Sequence, residues 1–365
     1  MYVPILFLID SGMFMASSIS FDSFSIRVPD FPEKINRSPC LPLENGIKYW
    51  YYYLDFNEKE NSVMQEILIR AGSFVAIIVL GYLLKKIGVF KEEDFSVLSR
   101  VVIRITLPAA IVTSFSGKQI DPALLSIVAM GMGGGILYIL VAFLVNLRAS
   151  REQRAFEILN LPGYNIGNFT MPFVQSFLGP TGVIVTSLFD TGNAFVCLGG
   201  SFGVASMVKD GTRFSLSRIV KALSRSVPFV TYLTMMLLNL IQVKLPEPII
   251  SFAQIIANAN AFLAMFMIGV GFKLGGDRSQ AGKILRLLLL RYGVATVLAL
   301  VFWFVLPFSA EIRMPLVILA FSPIGSAVPP FTAELKGDVG LSSAINSISI
   351  IISIVIIVAL LGIML

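Results

Sequence analysis

Asn165, Asn168 and Thr170, with Gly167 and Pro172 among them, form the stretch NIGNFTMPF in the middle of an apolar segment. Each of these residue types breaks or competes with backbone hydrogen bonds that a hydrocarbon environment cannot replace. Their chemistry is that of holding a ligand. Two amides, a hydroxyl and the backbone N–H groups freed beside a glycine and a proline suit a small polar or anionic group. Asp190, in SLFDTGNAF, is a carboxylate in the next apolar segment, with Thr191 and Asn193 beside it. An ionisable residue there reads as a cation or proton site, the alternative being a structural hydrogen-bonded role.

Other chemistry is excluded by composition. The 365 residues include no histidine, so His-dependent general bases, Ser-His-Asp triads and His-ligated metals are ruled out. Cys40 and Cys197 are far apart and suggest neither a disulfide framework nor a zinc cluster. No ATP-binding motif is present, and GMGGG at 131–135 reads as close helix packing, without the context of a nucleotide loop. No cofactor is called for.

The elements that must position these residues are membrane helices. The chain is 56% hydrophobic and 14% charged, with a mean hydropathy of +0.84, far from a water-soluble domain. Ten apolar runs recur, near 65–84, 98–115, 122–146, 155–178, 181–207, 219–243, 247–272, 281–306, 313–335 and 339–363. Each has about the 20 residues a spanning helix needs. Polar residues and prolines interrupt the fourth and the ninth.

Sidedness follows from the connections. Those after runs one, three, five and seven carry Lys85, Lys86 and Lys91; Arg148, Arg151 and Arg154; Lys209, Arg213, Arg218, Lys221 and Arg225; and Lys273, Arg278, Lys283 and Arg286. The alternate connections carry only Lys118, Lys244 and Arg313. The positive-inside rule makes the first set cytoplasmic, with both ends of the ten-helix unit on the non-cytoplasmic side of a cell membrane. The net charge of +6 belongs to those loops rather than to nucleic-acid binding. Residues 1–63 do not fit the plan. They begin with VPILFLI but lack a basic n-region and a clear cleavage site, so the expectation is an over-called start with Met64 as initiator.

A displacement of 158 positions lays NIGNFTMPFVQSFLGPTG (165–182) on PIGSAVPPFTAELKGDVG (323–340). Ile166, Gly167, Pro172, Phe173, Gly179 and Gly182 match Ile324, Gly325, Pro330, Phe331, Gly337 and Gly340. The same shift maps 64–207 onto 222–365 around a cytoplasmic linker at 208–221. Five spans is an odd number, so the second half must cross in the opposite sense, an inverted-topology repeat. The expected fold is therefore an all-α polytopic membrane protein of ten helices, two inverted five-helix repeats with broken, crossing helices in the fourth and ninth runs. At 1.5 Å per residue both breaks fall roughly 15 Å deep, at the midplane. Irregular backbone is tolerated there only around a polar cavity. Pro172, Pro329 and Pro330 free carbonyls of the preceding turn, Gly167 and Gly325 let the chain unwind, and Ser322 and Ser326 join the amides. Half-helix N-termini favour an anion and freed carbonyls a cation.

The 5+5 plan, NIGNFTMPFVQSFLGPTG followed by LFDTGNAF, and the proline-broken ninth run resemble the auxin efflux carrier family, over about 64–365. That resemblance implies a scaffold of helices one, two, six and seven, a mobile unit of three to five and eight to ten, and organic-anion transport at the crossing of four and nine. The function expected is secondary or passive transport of small carboxylates, such as malate, malonate or auxin-like acids, by elevator-type alternating access. Its partners would be the anion, H+ or Na+ as coupling ion, the bilayer and a second copy in a homodimer. Two other classes are weighed against it. DTG also occurs in aspartyl hydrolases, but a dyad needs a second carboxylate, and Glu334 lies about 10 Å or more from Asp190 in depth by helix rise. A receptor or scaffold on a transporter fold is the other.

Three residues complete the candidates. Arg104 either snorkels to lipid head groups or faces the substrate path. Asn258 and Asn260 either line the cavity from the seventh run or hydrogen-bond between helices.

Overall fold

The computed structural model describes residue 65 and residues 68–91, 93–116, 121–272 and 280–365, all within the compact unit Glu58–Leu365. The expected extension 1–63, Met64, Cys40, Lys118, Lys273 and Arg278 lie outside the described residues.

The described residues are helical, with no strand among them. Among the described residues seven helices are long and apolar enough to cross a membrane: α1 (Leu68–Lys86), α2 (Asp94–Phe115), α3 (Pro122–Val145), α6 (Gly179–Asp210), α9 (Glu247–Gly271), α10 (Ala281–Phe304) and α13 (Val339–Met364). The shorter ones are α4 (Arg151–Asn160), α5 (Met171–Phe177), α7 (Leu216–Arg225), α8 (Val227–Leu240), α11 (Ala310–Ala320) and α12 (Val328–Glu334). The protein is a multi-pass membrane protein. The fourth and ninth apolar runs are each filled by two half-helices, α4 with α5 and α11 with α12, which is where the sequence puts polar interruptions. The sixth run, expected as one span over 219–243, is also divided, into α7 and α8 at Ser226.

Local chemistry explains the element ends. Ser150 accepts from the Gln153 N–H to cap α4, Ser226 caps α8 through the Phe229 N–H, and Asp338 caps α13 through the Leu341 N–H. A π-turn precedes Pro108 at Val102–Thr106 and another precedes Pro172 at Ile166–Thr170. A proline cannot donate the usual bond to the fourth residue before it, and a wider turn takes up the mismatch. Pro329 sits in the first turn of α12, where a missing N–H costs least, whereas Pro172 lies inside the helical segment that begins at Ile166, just past its π-turn.

Small residues let the long helices approach. A Cβ on Gly131 of α3 would overlap the Phe189 carbonyl oxygen, and one on Gly192 of α6 would overlap that of Val128. Gly81 of α1 and Gly269 of α9 meet Phe266 and Ile78 in the same way, and Ala109 and Ala110 of α2 pack on Ala253 and Ala257 of α9. Several of the basic connections share one end of the bundle. Ser150, Glu152, Lys209 and Lys283 line one cavity of about 650 Å³, and Lys85 donates to the Phe272 carbonyl.

Candidate functional site at the crossing of two broken helices

The fourth run unwinds over Leu161–Asn165 and the ninth over Phe321–Ala327. The two breaks touch: the Asn165 N–H donates to the Pro323 carbonyl at 2.9 Å. The residue that turns the first break is Gly163, with φ at +85°, a conformation side chains disfavour. Gly167, expected in that part, lies inside the π-turn, where a Cβ would instead crowd Leu107. A Cβ on Gly163 or on Gly325 would press on the Cys197 sulfur, so this thiol packs against both breaks.

Side chains from the following helices satisfy the unwound backbone. Asn193 of α6 brackets Tyr164, accepting from its N–H at 3.3 Å and donating to its carbonyl at 3.2 Å. In the other half, Asn346 donates to the Ile324 carbonyl at 2.9 Å and Ser349 accepts from the Ile324 N–H at 3.1 Å. Asn168 donates to Ser326 at 3.0 Å, while its own Oδ1 is buried with no partner, an acceptor open to a donor from a ligand.

A cavity of about 160 Å³ lies against this crossing, space for about five waters. Its wall includes Asn165, Gly167, Asn168, Asp190, Asn193, Gly325 and Ser326 from the expected set, with Ile103 and Leu107 of α2 and Phe229 and Tyr232 of α8 opposite. Asp190 accepts from Asn193 Nδ2 at 2.8 Å and from the Tyr232 hydroxyl at 3.0 Å.

The other sequence candidates lie elsewhere. Thr170 and Ser322 hydrogen-bond each other at 2.6 Å, buried behind the cavity and bracing the breaks. Pro172, Pro329 and Pro330 are not in the cavity wall. Thr191 bonds back to the Ser187 carbonyl of its own helix, as buried helical threonines do, and does not extend the polar face. Asn260 is fully buried between helices, accepting from Thr106 at 3.0 Å and donating to Gln175 at 3.2 Å. Asn258 is exposed and accepts from Gln254, and Arg104 is exposed on α2, away from the cavity. Glu334 is ion-paired with Arg218 at 2.5 Å, so it and Asp190 have separate partners and share no proton.

Arg291 of α10 is the residue that sequence reasoning missed. It is 1% exposed and donates to the carbonyls of Leu161, Gly163 and Ser322, the last two at 2.9 and 2.7 Å. Its guanidinium lies 5.2 and 5.7 Å from the ring centroids of Tyr138 and Tyr164, two rings that also pack edge-on against each other. The freed carbonyls of both breaks thus already hold a cation. Its only signal in the sequence is an arginine in LLLLRYG, inside the eighth apolar run.

Comparison with known proteins agrees with this architecture. Residues 73–208 match the family described as "Membrane transport protein". The chain is 29% identical over 130 residues to an "Uncharacterized transporter" of Methanothermobacter thermautotrophicus, an alignment covering 34% of this chain and 42% of that relative. The matched residues 73–208 carry the Asn165–Phe173 stretch and Asp190, so the part of the chain that resembles this membrane transport family is the part that holds the first break and the carboxylate.

Proposed function

We propose that this protein is a secondary or passive transporter of small organic anions, operating by alternating access at the crossing of its two broken helices. The observation that carries the reading is the cavity itself. Side-chain amides, a hydroxyl and the start of the Ile166–Phe177 helical segment converge on a space sized for a small carboxylate. One wall comes from α2 and α8 and the other from α6 and the two breaks, the division expected of a scaffold and an elevator-type mobile unit. Arg286 supports that division. It bonds Glu157 of α4 at 3.1 Å and Asn146, just past α3, at 2.9 Å, so α3, α4 and α10 are braced together.

The ten-span, inverted-repeat plan belongs to the same proposal. Displaced by 158 positions, Arg151–Asn160 falls on 309–318, where α11 occupies Ala310–Ala320, and α5 falls on 329–335, beside α12 at Val328–Glu334. The clustering of basic connections at one end supports a cytoplasmic assignment for that end, with α13 ending on the other side. Asp190 is the coupling residue of this reading. An anion and an ionised carboxylate in so small a cavity repel, so a cation on Asp190, H+ or Na+, accompanies the substrate.

The test is a proteoliposome flux screen of mono- and dicarboxylates with and without imposed H+ and Na+ gradients. Saturable flux of at least one carboxylate is expected. Saturable binding of a carboxylate with no flux under any gradient would favour the receptor reading instead.

A further inference from the structure

We propose that Arg291 is a resident cation filling the position at the crossing where a metal ion would bind, so that the transporter runs without Na+ and its coupling ion is a proton on Asp190. This rests on the transporter reading above and names its ion.

The oxygen atoms a hard cation would need are already used. The carbonyls of Leu161 and Gly163, just past the end of α4, and of Ser322, just past the end of α11, all accept from one guanidinium. Helix C-termini carry partial negative charge, and two of them converge here. A carbonyl cluster of this kind takes Na+ when nothing else fills it. Arginine fills it permanently, because its guanidinium does not lose its proton in proteins. The mutually packed rings of Tyr138 and Tyr164 both lie against the guanidinium, and the Tyr138 hydroxyl donates to the Arg291 carbonyl at 3.1 Å, tying ring and helix together. Tyr164 also lines the substrate cavity, so this fixed positive charge lies one ring behind its wall and favours an anion within it.

Asp190 offers no second place for a metal. Both its oxygens already accept bonds, from an amide and from a hydroxyl, and the Asn193 carbonyl oxygen is committed to the Tyr164 N–H. Among the described residues no three His, Cys, Asp or Glu side chains gather into a metal site. The titratable groups around Asp190 are Tyr164 of the first break, Cys197 of its own helix and Tyr232 of α8, and no Lys or Arg lines the cavity. A carboxylate in this setting gains a proton far more readily than an oxygen-ligated ion.

The experiment uses the purified full chain with methylguanidinium, Na+ and choline as cations. Thermal unfolding in detergent needs no substrate, so it reports on the Arg291 site even if no anion is transported. Wild type is expected to show the same midpoint in NaCl and choline chloride. Arg291→Ala is expected to unfold several degrees lower and to recover at least half of that loss in millimolar methylguanidinium. Arg291→Lys, which retains the charge, should recover part of it without any added cation. Recovery of Arg291→Ala by neither methylguanidinium nor Na+, or an Arg291→Gln variant as stable as wild type, overturns the resident-cation assignment. In proteoliposomes, wild-type flux should be within twofold in Na+ and choline media and should rise with an imposed proton gradient. A fivefold or larger stimulation by Na+ overturns the proposal, whereas absence of flux for every carboxylate alongside methylguanidinium rescue would sink the transporter reading and leave the Arg291 site standing.

Discussion

The side-chain amide of Asn168 lies 3.0 Å from the Ser326 hydroxyl, and 158 residues separate the two positions, the same displacement that aligns the two polar stretches in the sequence. Equivalent positions of two related segments meet in space when they lie on the axis that relates the halves. The contact therefore sits where an inverted repeat would place its centre, and the unpartnered Asn168 Oδ1 is beside it.

Replacing Asn168 with Leu removes the bond to Ser326 and leaves that hydroxyl unsatisfied in a polar cavity, a loss of about 1–3 kcal/mol. Carboxylate flux is expected to fall by at least about tenfold, since ~1.4 kcal/mol is a tenfold change in an equilibrium. Insertion should be largely intact by membrane fractionation. Asn165→Leu should behave alike, as Asn165 lines the same cavity.

Asp190→Asn keeps the shape and removes the charge. Gradient-driven accumulation should disappear while downhill exchange of the anion continues, measured as uptake into preloaded and empty proteoliposomes. If accumulation and its dependence on the imposed gradient are unchanged, Asp190 is a structural hydrogen-bonding group held by Asn193 and Tyr232, and the coupling role is wrong.

Gly131→Ala and Gly192→Ala each drive a methyl group into backbone of the neighbouring helix, at Phe189 and Val128. Each should cost about 1–3 kcal/mol, seen as a lower unfolding midpoint in detergent. Gly133→Ala is the control within the same GMGGG segment. A Cβ there meets nothing within 4 Å, so the helix should be unchanged or gain about 0.5–1 kcal/mol.

Asp338 gives a pH-dependent cap at the N-terminus of α13. The Leu341 N–H foremost, with Gln280 and Lys283, holds its carboxyl below the usual carboxylate range. A lowered folded value means that the stabilisation is fully present above the unfolded value of about 3.9 and is lost as pH falls through the folded one. Asp338→Ala should therefore cost about 1 kcal/mol at neutral pH. The difference from wild type should close in acid, followed by unfolding midpoints across a pH series.

Cysteine-accessibility labelling checks the orientation. Cysteines placed at Arg151 and Lys221 should react from the cytoplasmic side and one at Leu365 from the opposite side. Labelling of all three from one side would remove the inverted-repeat argument.

Much of the fold is legible locally because a bilayer imposes length and apolarity on each spanning segment independently of its neighbours. The apolar runs, their two polar interruptions and the recurrence of NIGNFTMPF as PIGSAVPPF needed no partner to be seen. What a polar side chain does once inside is another matter, because it depends on which group from a distant segment reaches it. Asn258 and Asn260 are two residues apart, yet one is exposed and the other is buried between Thr106 and Gln175. Thr191, next to Asp190, turns to its own helix. Arg291 looks in sequence like a charge tolerated in an apolar helix, since its acceptors at Leu161, Gly163 and Ser322 lie 130, 128 and 31 residues away. Hydropathy is a property of a segment, and so the sequence alone marked the apolar segments and the polar stretches that interrupt two of them. Satisfaction of a buried charge is a property of atoms brought together from several segments, and only the tertiary structure decided that the freed carbonyls of both breaks belong to the protein's own arginine.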